Sequence, residues 1–290
     1  MAPVSVVTGA NSGIGRATAI HLALQGHDVY GTVRSVDKAA KLMAMATQRG
    51  ATVSLVELDV ADDESVRHGF AEILERAGHV DVLVNNAGVG GNAVVEECTP
   101  AVMLAVMNVN VCGALRCISA VLPGMRERGT GAIVNVSSIA GRIGALAQAP
   151  YTASKWAFEG LSEELAQEVA PFGVRVVIIE PGVTKSAIFA KNVDLPSTST
   201  YGRHYDRMLQ MYATGIEHAT DPFEVARVIH HAVTTDEPRL RYHMSWGGEE
   251  LVTGRARMTD EEWVALGATT DDAEYYANFR ARFGLDIAPS

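Results

Sequence analysis

Tyr151 and Lys155 stand four residues apart directly after Pro150, and Ser138 precedes them by thirteen positions. With Pro150 in the first turn of a helix, where its missing N–H costs nothing, Tyr151 and Lys155 lie one turn apart on one face. An ammonium beside a phenol favours the phenolate, so this spacing predicts a Tyr pKa lowered from ~10 and a side chain that exchanges protons near neutrality. Ser138 follows the apolar run 132–136, which places it at the C-terminal end of a strand, where open α/β sheets bind ligands. A Tyr-Lys pair is common by chance, so its meaning rests on the elements that position it.

Those elements begin with a buried strand at residues 3–8, a glycine-rich turn (Gly9, Asn11, Ser12, Gly13, Ile14, Gly15) and an apolar-periodic helix at 14–24. Glycines at such a turn let the backbone approach a pyrophosphate, which then meets the free N–H groups and positive dipole end of the helix. A second strand, 28–33, ends in Arg34, about twenty residues past the glycines, where an NAD-binding chain carries an Asp or Glu for the ribose 2′-hydroxyl. A guanidinium there suits a 2′-phosphate, with Ser35 or Lys38 in support, whereas Asp37 keeps NAD(H) open and a solvated loop Arg is the plain alternative.

The alternation continues with helices at 36–49 and 62–77 and strands at 52–58 and 80–84, which predicts an α/β fold built on a doubly wound parallel sheet with helices on both faces. Loops at the same sheet edge carry Asp59 and Val60, with Asp59 either reaching an adenine amino group or capping its loop. Next comes Asn85, Asn86, Ala87 and Gly88, short residues that let a flat ligand pass. Thr99 and Pro100 start a long helix to about residue 125; Asn110 is a polar residue within its apolar pattern, which by itself reads as an Asn satisfied by backbone. The helix from Tyr151 carries Phe158, Leu161, Leu165 and Val169 at core or subunit-contact spacing, and a strand at 174–179 leads into Glu180, Pro181, Gly182, Val183 and Thr184. Residues 187–222 read as a substrate loop or lid with a short amphipathic piece at 205–211. A helix at 223–233 and a strand at 239–244 follow. A C-terminal extension at 245–290 then holds a Thr259/Glu262 capping box and a helix at 271–282 stopped by Gly284.

A chain of 290 residues, 48% hydrophobic and 20% charged, allows one large domain or two small ones, and a net charge of −10 argues against nucleic acid and anionic membranes as partners. Three cysteines without CxxC spacing suggest neither disulfides nor zinc but reduced, buried thiols. The scattered histidines show no metal-binding pattern. A strand beginning by Val4 leaves no room for a signal peptide and no apolar run approaches ~20 residues, so the expected location is cytoplasmic.

Taken together, Thr8-Gly-x-x-x-Gly13-Ile-Gly15, Asn85-Asn-Ala-Gly88, Asn110, Ser138, Tyr151-x-x-x-Lys155 and Pro181-Gly182 resemble the short-chain dehydrogenase/reductase family over residues 4–186. The resemblance implies one Rossmann-type domain of about seven strands and a tetrad of Asn110, Ser138, Tyr151 and Lys155. Tyr151 is then the general acid/base and Ser138 polarises the substrate oxygen. Lys155 binds the nicotinamide ribose and lowers the Tyr pKa, and Asn110 holds a relay water. Arg34 matches the position by which NADP-preferring members hold the 2′-phosphate, so NADP(H) is the expected cofactor. Ser12 stands where such members often carry a base, and Thr184 and Ser186 replace a commoner Ile and Thr. The run from Ser154 to Ala166 and the C-terminal extension look like the branch of 17β-hydroxysteroid and retinol dehydrogenases, which implies a bulky hydrophobic, steroid-like or lipid-like alcohol or ketone. A homodimer or homotetramer through helices 100–125 and 151–170 is implied as well. A 3-oxoacyl or other small-carbonyl reductase, and a non-catalytic NADP(H)-binding sensor, are the rival readings.

Overall fold

Alternating side chains along the strands build the two cores. In this computed structural model, which describes residues 2–186, 188 and 200–289, the strands are β1 (Val4–Val7), β2 (Asp28–Val33), β3 (Ser54–Glu57), β4 (Val82–Asn85), β5 (Gly131–Val136), β6 (Val174–Pro181) and β7 (Arg241–Met244). Val4 and Val6 pack to one side of the sheet and Val7 to the other; Leu83 opposes Val82 and Val84, and Ile133 opposes Val134 and Val136. Strands buried on both faces read as unbroken apolar runs, as parallel sheets require.

The sheet runs β3-β2-β1-β4-β5-β6-β7 with every pair parallel. The order reverses between β1 and β4, so the crevice above their C-terminal ends is the place for a ligand.

Eleven helices connect and cover the strands among the described residues: α1 (Gly13–Leu24), α2 (Ala40–Gln48), α3 (Asp63–Ala77), α4 (Pro100–Met107), α5 (Gly113–Arg128), α6 (Ala149–Val169), α7 (Gly202–Glu217), α8 (Pro222–Thr234), α9 (Gly248–Ala256), α10 (Asp260–Ala268) and α11 (Asp272–Phe283). Phe70 of α3, Ile118 and Met125 of α5 and Leu165 of α6 fill one face of the sheet; Ile20 of α1, Leu42 of α2 and Ile229 of α8 fill the other.

Several boundaries differ from the sequence expectation. The helix expected at 36–49 is a 3-10 turn, Val36–Lys38, followed by α2. The long helix expected at 99–125 is α4, a π turn at Asn108–Cys112, and α5 running on to Arg128. Residues 187–222 were expected as an irregular lid, yet their largest described part is the sixteen-residue α7, whose buried Tyr205, Met208 and Gly215 share one face; the lid expectation for residues 187 and 189–199 lies outside the described residues. The unforeseen α9 starts after Gly247, which holds a left-handed φ of 75° that a Cβ disfavours. Pro100–Arg128 is long and apolar enough, by length and composition, to cross a membrane, which corrects the expectation that no run approached that length; its Cys117, Ile118, Val121 and Met125 nevertheless lie in the sheet's core. Of the three thiols only Cys117 is buried, and burial pushes its pKa up to about 12, whereas Cys112 is exposed.

The C-terminal extension folds back on the loop after β5. Leu251, Met258, Leu266, Tyr275, Phe279, Phe283 and Ile287 form a separate apolar cluster with Ile143. The Thr259/Glu262 capping box is present, with Glu262 N–H donating to Thr259 Oγ1 at 3.1 Å and Thr259 N–H to Glu262 Oε2 at 2.9 Å, a motif that satisfies two otherwise orphaned helix-end donors.

Candidate active site

Ser138 leaves β5 in extended conformation, and its Oγ accepts a hydrogen bond from Ala140 N–H at 3.2 Å. Pro150 lies in the first turn of α6, so Tyr151 and Lys155 do fall on one face of that helix. The Tyr151 hydroxyl is hydrogen-bonded to Ser138. The Lys155 ammonium donates to Val136 O at 3.0 Å and stands 5.7 Å from the centre of the Tyr151 ring.

The electrostatics differ from the expectation of a lowered Tyr pKa. Burial pushes the Tyr151 phenol up, and the Ser138 hydrogen bond only pulls part of the way back. Lys155 is itself buried, which lowers its pKa to about 8 while Glu159 pulls it upward. Two neighbouring groups that both lose water each prefer their neutral form, and desolvation is the largest cause of both shifts.

Asn110 lies in the π turn and does not line the pocket. Its amide donates to Val89 O at 2.9 Å and to Ser154 Oγ at 2.9 Å, and its Oδ1 accepts from Val89 N–H at 2.8 Å. Ser154 in turn donates to Tyr151 O at 2.7 Å. The side chain therefore ties the loop after β4 to the first turn of α6, and so to the Tyr151 backbone.

The glycine-rich turn closes against the loop after β4. Gly9 has φ +67°, and a Cβ there would stand 2.9 Å from Ala87 Cα. Asn86 holds the turn down, its amide donating to Thr8 O at 2.9 Å, while Thr8 Oγ1 accepts from Asn86 and Ala87 N–H at 3.0 Å each. Gly15 lies beneath the turn rather than in the pocket, and a Cβ on it would come within 2.3 Å of Asn86 Nδ2 and 2.5 Å of Gly9 O. A Gly15→Ala change is accordingly expected to cost about 1–3 kcal/mol of stability by overpacking and to weaken nucleotide binding, read from the urea midpoint and from cofactor titration; an unchanged midpoint would contradict that packing.

At the N-terminus of α1, Ser12 makes no side-chain cap bond and the buried Asn11 Oδ1 has no partner among the described residues. The Ser12 hydroxyl, with the helix N–H donors behind it, fits a pyrophosphate, whereas Asn11 Oδ1 is an acceptor and suits a hydroxyl group of the bound nucleotide. Arg34 is exposed at the pocket edge beside Ser35 and Lys38 and makes no hydrogen bond or ion pair among the described residues, in keeping with a cationic seat for a further phosphate. Asp59 lines the same space while its Oδ1 accepts from Ala61 N–H at 3.0 Å, so its loop-capping role is real. Gly182 and Val183 are bonded through N–H to Met244 O at 2.8 Å and Trp246 O at 2.9 Å, and the buried Thr184 Oγ1 meets Ser245 Oγ at 2.8 Å.

One cavity of about 2040 Å³ brings these residues together: Gly9, Asn11, Ser12, Gly13, Ile14, Arg34, Asp59, Val60, Asn86, Ala87, Gly88, Ser138, Tyr151, Lys155, Pro181, Gly182, Val183 and Thr184 all line it. Its other walls come from α7, within the segment read from the sequence as a substrate loop or lid, and from the C-terminal extension, whose part in the pocket escaped sequence reasoning. Met208, Met211 and Tyr212 of α7, and Leu251, Trp263, Leu266, Tyr275 and Phe279 of the C-terminal extension, form an apolar compartment next to Tyr151 and Ser138. The Tyr275-Phe279-Phe283 spacing in α11 was the available signal, but periodicity alone does not say which surface such a face covers.

A family described as short chain dehydrogenase matches residues 3–195. The chain is a short-chain dehydrogenase/reductase. As such it is an NAD(P)-dependent oxidoreductase, and its relatives extend beyond the matched core. Human 17-beta-hydroxysteroid dehydrogenase type 1 is 36% identical over 253 residues, covering 82% of this chain and 76% of that one. A short-chain dehydrogenase from Streptomyces avermitilis superposes with a TM-score of 0.79 at 36% identity, over 92% of this chain and 98% of its own. A metagenomic short-chain oxidoreductase in complex with NADP superposes at 0.67 and 28% identity, over 83% of this chain and 95% of its own.

Proposed function

We propose that this short-chain dehydrogenase/reductase uses NADP(H) to interconvert a hydrophobic, steroid-like or lipid-like secondary alcohol and its ketone. The observation that carries the reading is the meeting of Tyr151, Ser138 and Lys155 where the glycine cradle opens into an apolar compartment walled by α7, α10 and α11. An apolar cavity with a few convergent polar groups is the usual form of a small-molecule site. The 17β-hydroxysteroid dehydrogenase relative and the NADP-bound neighbour support the substrate class and the cofactor.

A bound nicotinamide supplies the hydride. In ketone reduction the Tyr151 hydroxyl gives its proton to the substrate oxygen while Ser138 Oγ donates a hydrogen bond to the same oxygen. In alcohol oxidation Tyr151 takes the proton back. Lys155 holds the nicotinamide ribose hydroxyls and favours the phenolate once Tyr151 has lost its proton. Asn110 fixes the Tyr151 end of α6 through Ser154. Arg34 binds the 2′-phosphate.

The enzyme acts in the cytoplasm as a homodimer or homotetramer. Exposed apolar residues on α4 and α5, with Leu104 at 68% and Leu115 at 46%, together with Phe172 at 44%, support that contact. A panel of steroids, retinoids, long-chain keto lipids and short ketones tests the substrate: NADPH consumption is expected with the bulky apolar carbonyls and to be weak with the short ones, whereas tight NADPH binding without turnover across the panel would favour a sensor.

A further inference from the structure

We propose that Asn108, in the π turn between α4 and α5, is a positioning residue for the adenine end of the cofactor, because it holds from behind the loop that follows β3. The inference rests on the NADP(H) reading above. The sheet order assigns the two ends of the cavity. Ser138 follows β5, on one side of the reversal between β1 and β4, whereas Arg34 follows β2 and residues 58–61 follow β3 on the other. A cofactor whose nicotinamide meets Tyr151 and whose 2′-phosphate meets Arg34 carries its adenine on the β2–β3 side. There Leu58, Asp59, Val60 and Ala61 all line the cavity.

Contacts from the π turn and α5 reach that loop. Asn108 Nδ2 donates to Ala61 O at 3.1 Å. Arg116 Nη1 donates to Val60 O at 3.1 Å and to Asn108 O at 3.4 Å, and Arg116 Nε pairs with Asp63 at the start of α3. A Cβ on Gly113 would stand 2.9 Å from Val60 Cβ and 3.1 Å from Val60 O, so α5 begins directly against the loop. Asn108, Gly113 and Arg116 do not themselves line the cavity, whereas the loop they hold does. The loop's N–H groups are met locally, Asp59 N–H by Ser65 Oγ at 2.9 Å and Ala61 N–H by Asp59 Oδ1 at 3.0 Å. Its Val60 and Ala61 carbonyls depend instead on side chains from another segment, and backbone groups away from water require such partners.

The π turn gives Asn108 this reach. Residues two apart on a helix point to nearly opposite sides. Asn108 accordingly meets the loop after β3 while Asn110 bonds to Val89 and to Ser154 on the catalytic side, and Val109 between them lines the cavity. A loop held at two carbonyls before the nucleotide arrives loses less conformational freedom on binding, which raises affinity at that end of the ligand.

Calorimetric titration of the whole protein with NADPH and with two fragments, adenosine 2′,5′-bisphosphate and reduced nicotinamide mononucleotide, tests the assignment without turnover. Asn108→Ala is expected to weaken NADPH and the bisphosphate by roughly three- to tenfold, the range of one lost hydrogen bond, and to leave the mononucleotide within about twofold of wild type. Asn108→Asp keeps the shape but sets an acceptor against the Ala61 carbonyl, so it is expected to weaken the bisphosphate at least as much, and it carries the test should Asn108→Ala fail to fold. Wild-type affinity for the bisphosphate in a folded variant overturns the proposal. So does equal weakening of the two fragments, which reports a general loosening of the site. A wild-type protein that binds neither NADPH nor the bisphosphate overturns the cofactor reading itself, and this proposal with it.

Discussion

Tyr151→Phe is expected to reduce NADPH-dependent ketone reduction by roughly 10²–10⁴-fold while NADPH binds with near-wild-type affinity. The substitution keeps the ring that packs beside Lys155 and removes only the hydroxyl bonded to Ser138. Ser138 Oγ retains its bond from Ala140 N–H, so the strand end stays in place and the loss reports the missing proton donor. Steady-state kinetics with a fluorescence titration of NADPH measure both halves; undiminished turnover would remove Tyr151 from the chemistry. The pH dependence follows from the same groups. Reduction needs a protonated Tyr151, and burial raises that pKa, so the donor stays loaded through the neutral range. Lys155 titrates at about 8, so the reduction rate is expected to fall as pH rises through that value and the ammonium is lost. Oxidation needs the phenolate and is expected to increase with pH until the same loss of Lys155 limits it.

Arg34→Ala is expected to weaken NADPH by roughly ten- to a hundredfold and to change NADH by no more than about twofold. A charge-assisted hydrogen bond to phosphate contributes about 1.5–3 kcal/mol, which sets that range. The change is selective because Arg34 is exposed and makes no hydrogen bond or ion pair among the described residues, so its removal disturbs nothing else in the fold. Ser35 and Lys38 line the same edge and account for residual preference. Isothermal titration with the two cofactors decides it, and equal losses would show that Arg34 does not touch the 2′-phosphate.

The sheet was legible because each strand is a short apolar run bounded by turn residues, and because strands alternate with helices of crossover length. The helix starts at Asp62, Thr99, Thr259 and Asp271 were legible for a local reason: each side chain accepts a hydrogen bond from the backbone N–H three residues on. The π turn at Asn108–Cys112 was not, since an extra residue in a helix leaves the apolar pattern almost unchanged. Nor was α9, whose glycines argue against a helix that tertiary packing of Leu251 and Val252 nonetheless stabilises.

The Tyr151 pKa is the clearest case where spacing misled. The four-residue interval correctly predicts a shared helix face, but the sign of the shift depends on how much water each group loses, and that is a property of the assembled pocket. By itself the sequence determined the parallel doubly wound sheet, the glycine turn on a helix N-terminus and the Tyr-Lys pair on one helix face, because each follows from interactions within a few residues. Only the tertiary structure decided which apolar surfaces and charges stand around that pair: the wall from α7, α10 and α11, and the Glu159–Arg241–Glu180 cluster at the end of β6. Those partners come from chain segments up to about 130 residues away, and burial and electrostatics act through space rather than along the chain.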